Sequence, residues 1–553
     1  MEFQRQTKRG KEAESKAQRK AEEAEAFAEA AERHAQAQAA GRKKKKVMKR
    51  DGDEDEEVER SKLEDEARKA TLDAEPPVPP PFMHNLDRAQ IALESGNPYE
   101  AAAVPLRLAA IRIEGAKNLR PSFLSGLCRP YLDGTLKPDN PLHRLLYSHR
   151  LHHTLPGQPT SIPAILALTN SLGQDLTSFD LFSDIAAQLA PAASPSSSSS
   201  SSAEDVDVVL RCQEKGRFFL KTSTEVGNGE GNGVVQGRLR NVLGGAESLE
   251  GSASIGTKTR KSFALALVSP LFASPDHSVS LSAFAQDRDL TSYASCVEGL
   301  RGVRAALSVN AGTLGLHELA YEVQHRHVGR LLPTASMSMR RLAGHTVKSA
   351  VSHTVTSDTR DDPFMATEGR LLRLYQEYAG LGGDASHYKV EGEGQVSRAF
   401  GRGWAASLSA RGGALTTLNG LAPRFSDRFQ LGGPVSLRMF RYNGLGPRDG
   451  ADSLGGDAFW AVGASLLAPI PTRPHWPLKI HTFLNAGQLA QVHGREKGTA
   501  WRELGQPSSS FGLGLLYMQS GLRVELNAGL PLTARKGDGH RKGIQLGIGI
   551  SFL

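Results

Sequence analysis

Hydrophobic and polar residues alternate in several short segments of the C-terminal two-thirds of this 553-residue chain. In the final segment, GIQLGIGISFL, every second residue from Ile544 to Phe552 is apolar, and the residues between them are polar or glycine. The segments GLRVELNAGL, which ends at Leu530, and LKIHTFLNAG, which ends at Gly487, show the same split. Because successive side chains of a strand point to opposite faces, the pattern predicts β-strands with one apolar and one polar face.

The composition of the two faces favours a membrane barrel over a soluble β-sandwich, which also alternates. The polar face is rich in Gly, Ser, Arg, Glu, Asn and Lys, which suits a wet lumen, whereas the apolar face suits lipid. A membrane strand needs about 9 to 11 residues, so residues 216–553 hold about 16 strands with their turns. The sequence therefore predicts a mainly β fold with a 16-stranded transmembrane antiparallel β-barrel. Aromatic residues expected in its interfacial girdles are Trp404, Trp460, Trp476, Trp501, Tyr442 and Tyr517.

The residues before the barrel divide into three parts. Residues 1–80 are a charged, low-complexity tail that lacks the apolar residues of a core, so we expect it to be disordered or helical. Residues 81–104 are predicted to be a linker. Residues 105–215 are predicted to form one small α+β domain, in which a strand from Leu106 precedes helices near Pro121 and Ile162 and strands from Phe182 and Val206.

Composition and charge exclude several classes of function. The net charge of +8 is mild, and its main basic block, residues 41–50, adjoins an acidic run, so no nucleic-acid partner is expected. Three widely separated cysteines argue against a disulfide framework or a zinc site. The triplet His149, His152 and His153 has no second ligand group nearby. We therefore predict no metal, no cofactor and no enzymatic activity.

The chain shows no apolar run long enough for a membrane helix, which needs about 18 residues. The opening segment MEFQRQTKRGKEAESK lacks the apolar stretch of a secretory signal. We therefore expect the chain to be made in, and released to, the cytosol.

One long segment, Leu431 to Pro471, interrupts the strand pattern. Its first half is too rich in glycine, proline and charge to cross a membrane, so it predicts a long structured loop, a feature that is usually functional in barrels. An arginine such as Arg438 inside a barrel needs a carboxylate or a set of carbonyls, because an unpaired buried charge is costly.

This loop resembles the large inward-folding loop of the superfamily that joins polypeptide-transport-associated (POTRA) domains to a 16-stranded barrel and carries a VRGF-type motif. The run NGLGPRDGADSLGGDAFWA resembles the mitochondrial branch of that superfamily, the central barrel subunit of the sorting and assembly machinery. IRIEGAKNLRPSFL resembles the opening of a POTRA domain, and VDVVLRCQEKGRFFLKTSTEVGNGEGN resembles the passage into the first barrel strand. The resemblance covers about Leu106 to Leu553.

The resemblance implies a loop motif within the lumen that comprises Leu437, Arg438, Met439 and Phe440, with Glu525 as the candidate partner of Arg438. The family motif usually has glycine where this chain has Met439. The resemblance therefore does not fix the backbone conformation of the loop tip, since methionine adopts positive φ less readily than glycine.

The resemblance also implies a function, the insertion and assembly of β-barrel precursors into the mitochondrial outer membrane through a lateral gate between the first and last barrel strands. The gate residues would be Gly216, Phe218, Leu220 and Thr222 of the first strand and Gln545, Gly547, Ile550 and Phe552 of the last. The implied partners are unfolded β-barrel precursor proteins, accessory subunits of the sorting and assembly complex and the lipid bilayer, with the POTRA-like domain toward the intermembrane space. The alternative is a polypeptide-translocating or passive pore of a plastid or bacterial outer membrane.

Overall fold

The computed structural model describes residues 84–96, 98–132, 157–192, 204–227, 230–471, 473, 476–519 and 522–549. All of them belong to one compact unit, residues 84–553. The predicted tail and the residues His149, His152, His153, Ile550 and Phe552 lie outside the described residues.

A four-stranded sheet with helices packed on it precedes the barrel. The sheet has the order β2-β1-β4-β3, with β1 parallel to β4 and the other pairs antiparallel. Its elements, in chain order, are α1 (Asn85–Glu94), α2 (Pro98–Ala103), β1 (Leu106–Glu114), α3 (Pro121–Leu132), β2 (Pro159–Thr160), α4 (Ile162–Ser178), β3 (Phe182–Pro191) and β4 (Asp205–Glu214).

The core of this small domain lies between the sheet and helices α3 and α4. Apolar residues at helical spacing on α4, such as Ile165, Leu168 and Leu172, are fully buried with Leu106 and Leu108 of β1. Residues 84–103, which the sequence analysis treats as a linker, contain α1 and α2. Helix α1 joins the same core through Leu86 and Ala89, although charged residues dilute its apolar pattern.

The barrel comprises sixteen strands that pair antiparallel in one sheet. They are β5 (Phe218–Gly227), β6 (Glu230–Arg240), β7 (Ser248–Gly256), β8 (Thr259–Pro270), β9 (His277–Asp289), β10 (Val297–Asn310), β11 (Leu316–Gly329), β12 (Gly344–Asp358), β13 (Gly369–Gly383), β14 (His387–Gly401), β15 (Trp404–Thr417), β18 (Ala458–Pro469), β19 (Leu478–Ala490), β20 (Ser508–Gln519), β21 (Leu522–Thr533) and β22 (Gly543–Gly549). Short helices α5 (Thr291–Ala294), α6 (Met337–Leu342) and α7 (Lys497–Leu504) lie in its connections. The short strands β16 (Arg448–Asp449) and β17 (Asp452–Ser453) lie in the long loop between β15 and β18.

The sheet runs in sequence order from β5 to β22, except that β15 pairs directly with β18. Cα atoms of its two end strands, β5 and β22, come within 8 Å of each other, so the sheet curls into a ring. This confirms the predicted 16-stranded antiparallel barrel. No helix among the described residues is both long and apolar enough to cross a membrane.

The barrel strands place apolar side chains outside and polar side chains inside. On β21, Leu526 and Leu530 are exposed on the outer surface, whereas Glu525 and Asn527 are fully buried inside. Of the predicted girdle residues, Trp404, Trp476 and Trp501 are exposed, and the Trp460 indole donates to the Leu504 carbonyl. Tyr442 does not belong to a girdle. It lies in the long loop, where its ring packs edge-on against Tyr293, because the loop folds inward.

Candidate functional site

The long loop, residues 418–457, folds back into the barrel instead of standing above it. At its base, Phe429 and Gly456 exchange backbone hydrogen bonds of 2.8 and 3.0 Å. Its apolar side chains Leu437, Phe440 and Leu445 are fully buried in one cluster with Phe459 and Leu489 of the wall. Burial of this apolar surface holds the middle of the loop against β18 and β19.

Arg438 at the loop tip is bound to β21 of the barrel wall. Its side chain is 0 % exposed, and its Nε and Nη2 donate to the two Glu525 carboxylate oxygens at 2.9 and 3.2 Å. The guanidinium carbon lies 5.2 Å from the centre of the Phe483 ring. Arg438 is thus paired with Glu525, the candidate partner given from the sequence. A bidentate pair of this kind fixes both distance and orientation.

Glu525 also forms a salt bridge with a second arginine, Arg523. The Nε of Arg523 donates to Glu525 at 3.0 Å, and the Asn527 amide donates to it at 2.9 Å. Arg523 in turn donates to the Phe364 carbonyl, in the turn that connects β12 to β13. One buried carboxylate therefore lies between two arginines, one from the loop and one from β21.

The backbone of the loop motif is bonded to two of the last three strands, β20 and β22. Ser510 of β20 donates to the Arg438 carbonyl at 2.7 Å. Gln545 of β22 accepts from the Met439 N–H at 2.9 Å and donates to the Phe440 carbonyl at 3.2 Å. Through this pair of bonds, the side-chain amide of Gln545 satisfies the loop backbone as a neighbouring strand would.

Met439 adopts the left-handed conformation that glycine favours, with φ of 65°. Its side chain is buried, and its Cγ lies 3.1 Å from the point where a Cβ at Gly529 would stand. The absence of a side chain at Gly529 leaves room for the methionine. The strained backbone is held by the bonds on either side of it, since a conformation of this kind persists only where its surroundings fix it.

A second anchor ties the base of the loop to the other side of the barrel. Asp427 accepts from Arg326 of β11 at 2.7 Å, and the Lys389 ammonium donates to its backbone carbonyl. Glu377 of β13, close by, pairs with Lys348 at 2.9 Å and with His387 at 2.9 Å. This anchor was not predicted from the sequence. Its only signal was the presence of charged residues at inward positions of β11 to β14.

Glu377, His387 and Asp427 are also the one group within the described residues whose ligand atoms gather closely enough for a metal ion. The two carboxylates already pair with Arg326 and Lys348. A divalent cation would meet two fixed positive charges there. These residues therefore fit a loop anchor better than a metal site.

The predicted gate residues lie at the seam between β5 and β22. Phe218 and Leu220 are exposed on the outer surface, as are Ile544 and Leu546 on β22, while Gln545 points inward. Thr222 is exposed on β5, Gly216 precedes that strand, and Gly547 pairs with Glu525. The described residues of β5 and β22 form no backbone ladder with each other, although every other pair of neighbouring barrel strands does.

Comparisons with known proteins agree with this architecture. Residues 241–552 match the model of the Omp85 superfamily domain. A SAM50-like protein of Schizosaccharomyces pombe is 36% identical over 461 residues, which cover 82% of this chain and 92% of that protein. The human sorting and assembly machinery component 50 homolog is 34% identical over 357 residues, covering 63% of this chain and 76% of that protein.

Among solved structures, BamA from Haemophilus ducreyi, lacking POTRA domains 1-3, aligns with a TM-score of 0.63 at 15% identity. The alignment covers 80% of this chain and 84% of that one and shows a shared fold. The chain therefore belongs to the Omp85 superfamily and, within it, to the family of SAM50-like sorting and assembly machinery components.

Proposed function

We propose that this protein inserts and assembles β-barrel precursor proteins in the mitochondrial outer membrane, and that precursors enter through the seam between β5 and β22. The observation that carries the proposal is that the described residues of β5 and β22 form no ladder with each other, whereas every other pair of neighbouring barrel strands does. Strand edges have unpaired N–H and C=O groups that can pair with another strand. A precursor strand would find its partner there with its backbone groups satisfied, which the lipid interior demands.

The interior supports an insertase over the alternative of a passive pore. The loop crosses the lumen and is anchored on two walls, at Glu525 and at Asp427. A wide open pore would need that buried anchoring to be broken. Insertion exchanges backbone hydrogen bonds, so no covalent bond is made or cleaved and no cofactor takes part.

The remaining assignments belong to the same proposal. Residues 105–215 form the domain that faces the intermembrane space, and residues 216–553 form the membrane barrel. The partners are unfolded β-barrel precursors, accessory subunits of a sorting and assembly complex and the bilayer, whereas nucleic acid has no part. Ion pairs fix the small domain to the barrel, among them Arg120 with Glu247 at 2.6 Å and Asp180 with Arg240 at 3.0 Å.

A disulfide across the seam tests the proposal. In a chain with Cys128 replaced by serine, one cysteine replaces Leu220 on β5 and another replaces, in separate variants, Ile544 or Leu546 on β22. Isolated mitochondria that contain only the variant are oxidised, and the assembly of imported porin is followed. We expect assembly to stop in the cross-linked form and to recover on reduction.

The matched control is a cysteine pair at Leu526 and Leu546, which are register partners on β21 and β22. That disulfide joins the same last strand to its other neighbour and leaves the seam free to open. Porin assembly at the normal rate with the seam cross-linked would rule out this route of entry.

A further inference from the structure

The turn between β12 and β13, residues 359–368, is longer than the pairing of its strands requires. We name it the mouth turn. At its base the Thr359 N–H donates to the Arg370 carbonyl at 2.8 Å, so about two residues would be enough to join the strands there. Ten residues, 360–369, occupy that place instead. A connection of this length between barrel strands calls for a role of its own.

The mouth turn lies at the end of the barrel that carries the small domain. Neighbouring strands are antiparallel, and β12 is six places from β6 in the sheet, so the two strands run in the same direction. β6 ends at Arg240, which pairs with Asp180 of the small domain at 3.0 Å. The end of β12, and the turn that follows it, therefore lie at that same end.

Two carboxylates of the mouth turn fix its shape. Asp361 accepts from two backbone N–H groups near the end of the turn, at 2.9 and 3.0 Å. Asp362 accepts from the N–H groups of Phe364 and Met365 at 2.6 and 3.0 Å. Side chains that bond the backbone just beyond them replace the ladder of regular structure. The mouth turn is therefore a built element, although it contains no helix or strand.

The mouth turn reaches across the interior of the barrel. The Phe364 carbonyl accepts from Arg523 of β21, although five strands lie between β13 and β21 in the sheet. Met365 packs against three buried side chains that alternate with exposed residues and so face the lumen on β15, β18 and β20, namely Ala405, Leu467 and Leu516. Contacts between positions so far apart on a ring run through its interior. The turn thus crosses the lumen at the small-domain end.

The small domain occupies the other side of the same opening. Besides the pair of Asp180 and Arg240, helix α3 approaches the turn between β8 and β9. The position of a Cβ at Gly126 of α3 lies 3.4 Å from the Cβ of Ala273 in that turn. The domain is therefore docked beside β6 to β9, whereas the mouth turn extends from β12 and β13 to β21.

We propose that the mouth turn is a plug that closes the lumen to ions at the small-domain end of the barrel. The long loop enters from the other end and is bound to Glu525. Arg523 joins the loop to the plug, because it binds both Glu525 and the Phe364 carbonyl. The plug goes beyond the proposed insertion of precursors and does not depend on it, since closing the lumen needs no partner.

Ion conductance tests the plug. The full chain is purified in detergent, inserted into planar lipid bilayers and recorded without precursor or partner proteins. In the short-turn variant, Asn-Gly replaces residues 360–369, so that Thr359 and Arg370 flank a two-residue hairpin turn. Its single-channel conductance should exceed that of the parent by at least about twofold, because the constriction of the lumen widens. Heat-dependent gel mobility checks that each variant is a folded barrel.

A point variant tests the plug with the turn at its full length. M365D places a carboxylate against three apolar side chains, and burial of an unpaired charge is costly. The turn should therefore leave the wall, and the conductance should rise. L314D is the matched control, because it makes the same kind of exchange in the turn between β10 and β11 at the same end, where Leu314 is exposed. Its conductance should equal that of the parent.

Two results would overturn the plug. One is a folded short-turn variant that conducts no more than the parent. The other is a rise in L314D as large as in M365D, since the added charge alone would then explain both. Neither result bears on whether precursors enter at the seam, because the recordings contain no precursor.

Discussion

Replacement of Glu525 by glutamine should destabilise the barrel more than replacement of Arg438 by methionine. In E525Q, Arg438 and Arg523 would both face a neutral amide, and both are buried or nearly so, with side chains 0 % and 12 % exposed. Removing one partner of a buried pair costs about 3 to 5 kcal/mol, and here two cations lose the same carboxylate. We expect a loss at the upper end of that range.

In R438M, by contrast, the carboxylate keeps Arg523 and Asn527 as donors. The decrease in the free energy of unfolding is then about 2 kcal/mol, the contribution of a hydrogen bond to a charged group, because methionine retains the apolar contact with Phe483. The two variants should therefore differ by about 2 kcal/mol or more, which is roughly a 30-fold difference in the ratio of folded to unfolded protein.

Guanidinium unfolding in detergent micelles, followed by the gel mobility of the folded barrel, measures the two free energies of unfolding by linear extrapolation. The double variant E525Q/R523M should regain part of the stability that E525Q loses, because one unpaired cation is gone. If R438M proved as unstable as E525Q, or if the double variant were worse than E525Q, Glu525 would not be the counter-ion of both arginines.

Three further predictions concern other parts of the chain. Met439→Gly relieves a left-handed backbone but empties the space beside Gly529, so the net change in the free energy of unfolding should stay within about 1 kcal/mol. The variant G529A, which retains Met439, should be clearly less stable than the parent. Denaturant titration measures both changes. A hydrogen bond from Lys215 lowers the pKa of Asp180. The stabilisation by the ionised Asp180 is therefore complete above about pH 3.9 and is lost as the pH falls through the lowered pKa. The variant D180N should remove this acid dependence of the melting temperature. Burial raises the pKa of Cys296 to about 12. Its thiol should therefore resist maleimide at pH 8 in the folded barrel and react after unfolding. Rapid labelling of the native protein would contradict this expectation.

The features that the sequence predicted correctly follow from the period of two along each strand. Once Leu526 is assigned to the outside, Glu525 must face the lumen. Few carboxylates face the lumen, so a buried arginine has few possible partners. The number of strands, about 16, follows instead from the length of residues 216–553 and the length of a membrane strand with its turn. The anchor of Asp427 on Arg326 could not be predicted in this way, because it depends on which strands the loop crosses once the ring has closed. Helix α1 was not predicted from the sequence, because its buried residues Leu86 and Ala89 lie among charged residues.

The two strands at the seam are not held equally, and this difference bears on how a precursor could enter. β22 pairs with β21 on one edge and is also bonded from inside, where Gln545 exchanges two hydrogen bonds with the loop backbone. That loop is itself fixed by the buried pair of Arg438 and Glu525. β5 pairs with β6, and its described inward side chains show no comparable bond to the loop. Among the described side chains, moving β5 breaks no bond to the loop, whereas moving β22 disturbs the loop, so we expect β5 to be the strand that moves.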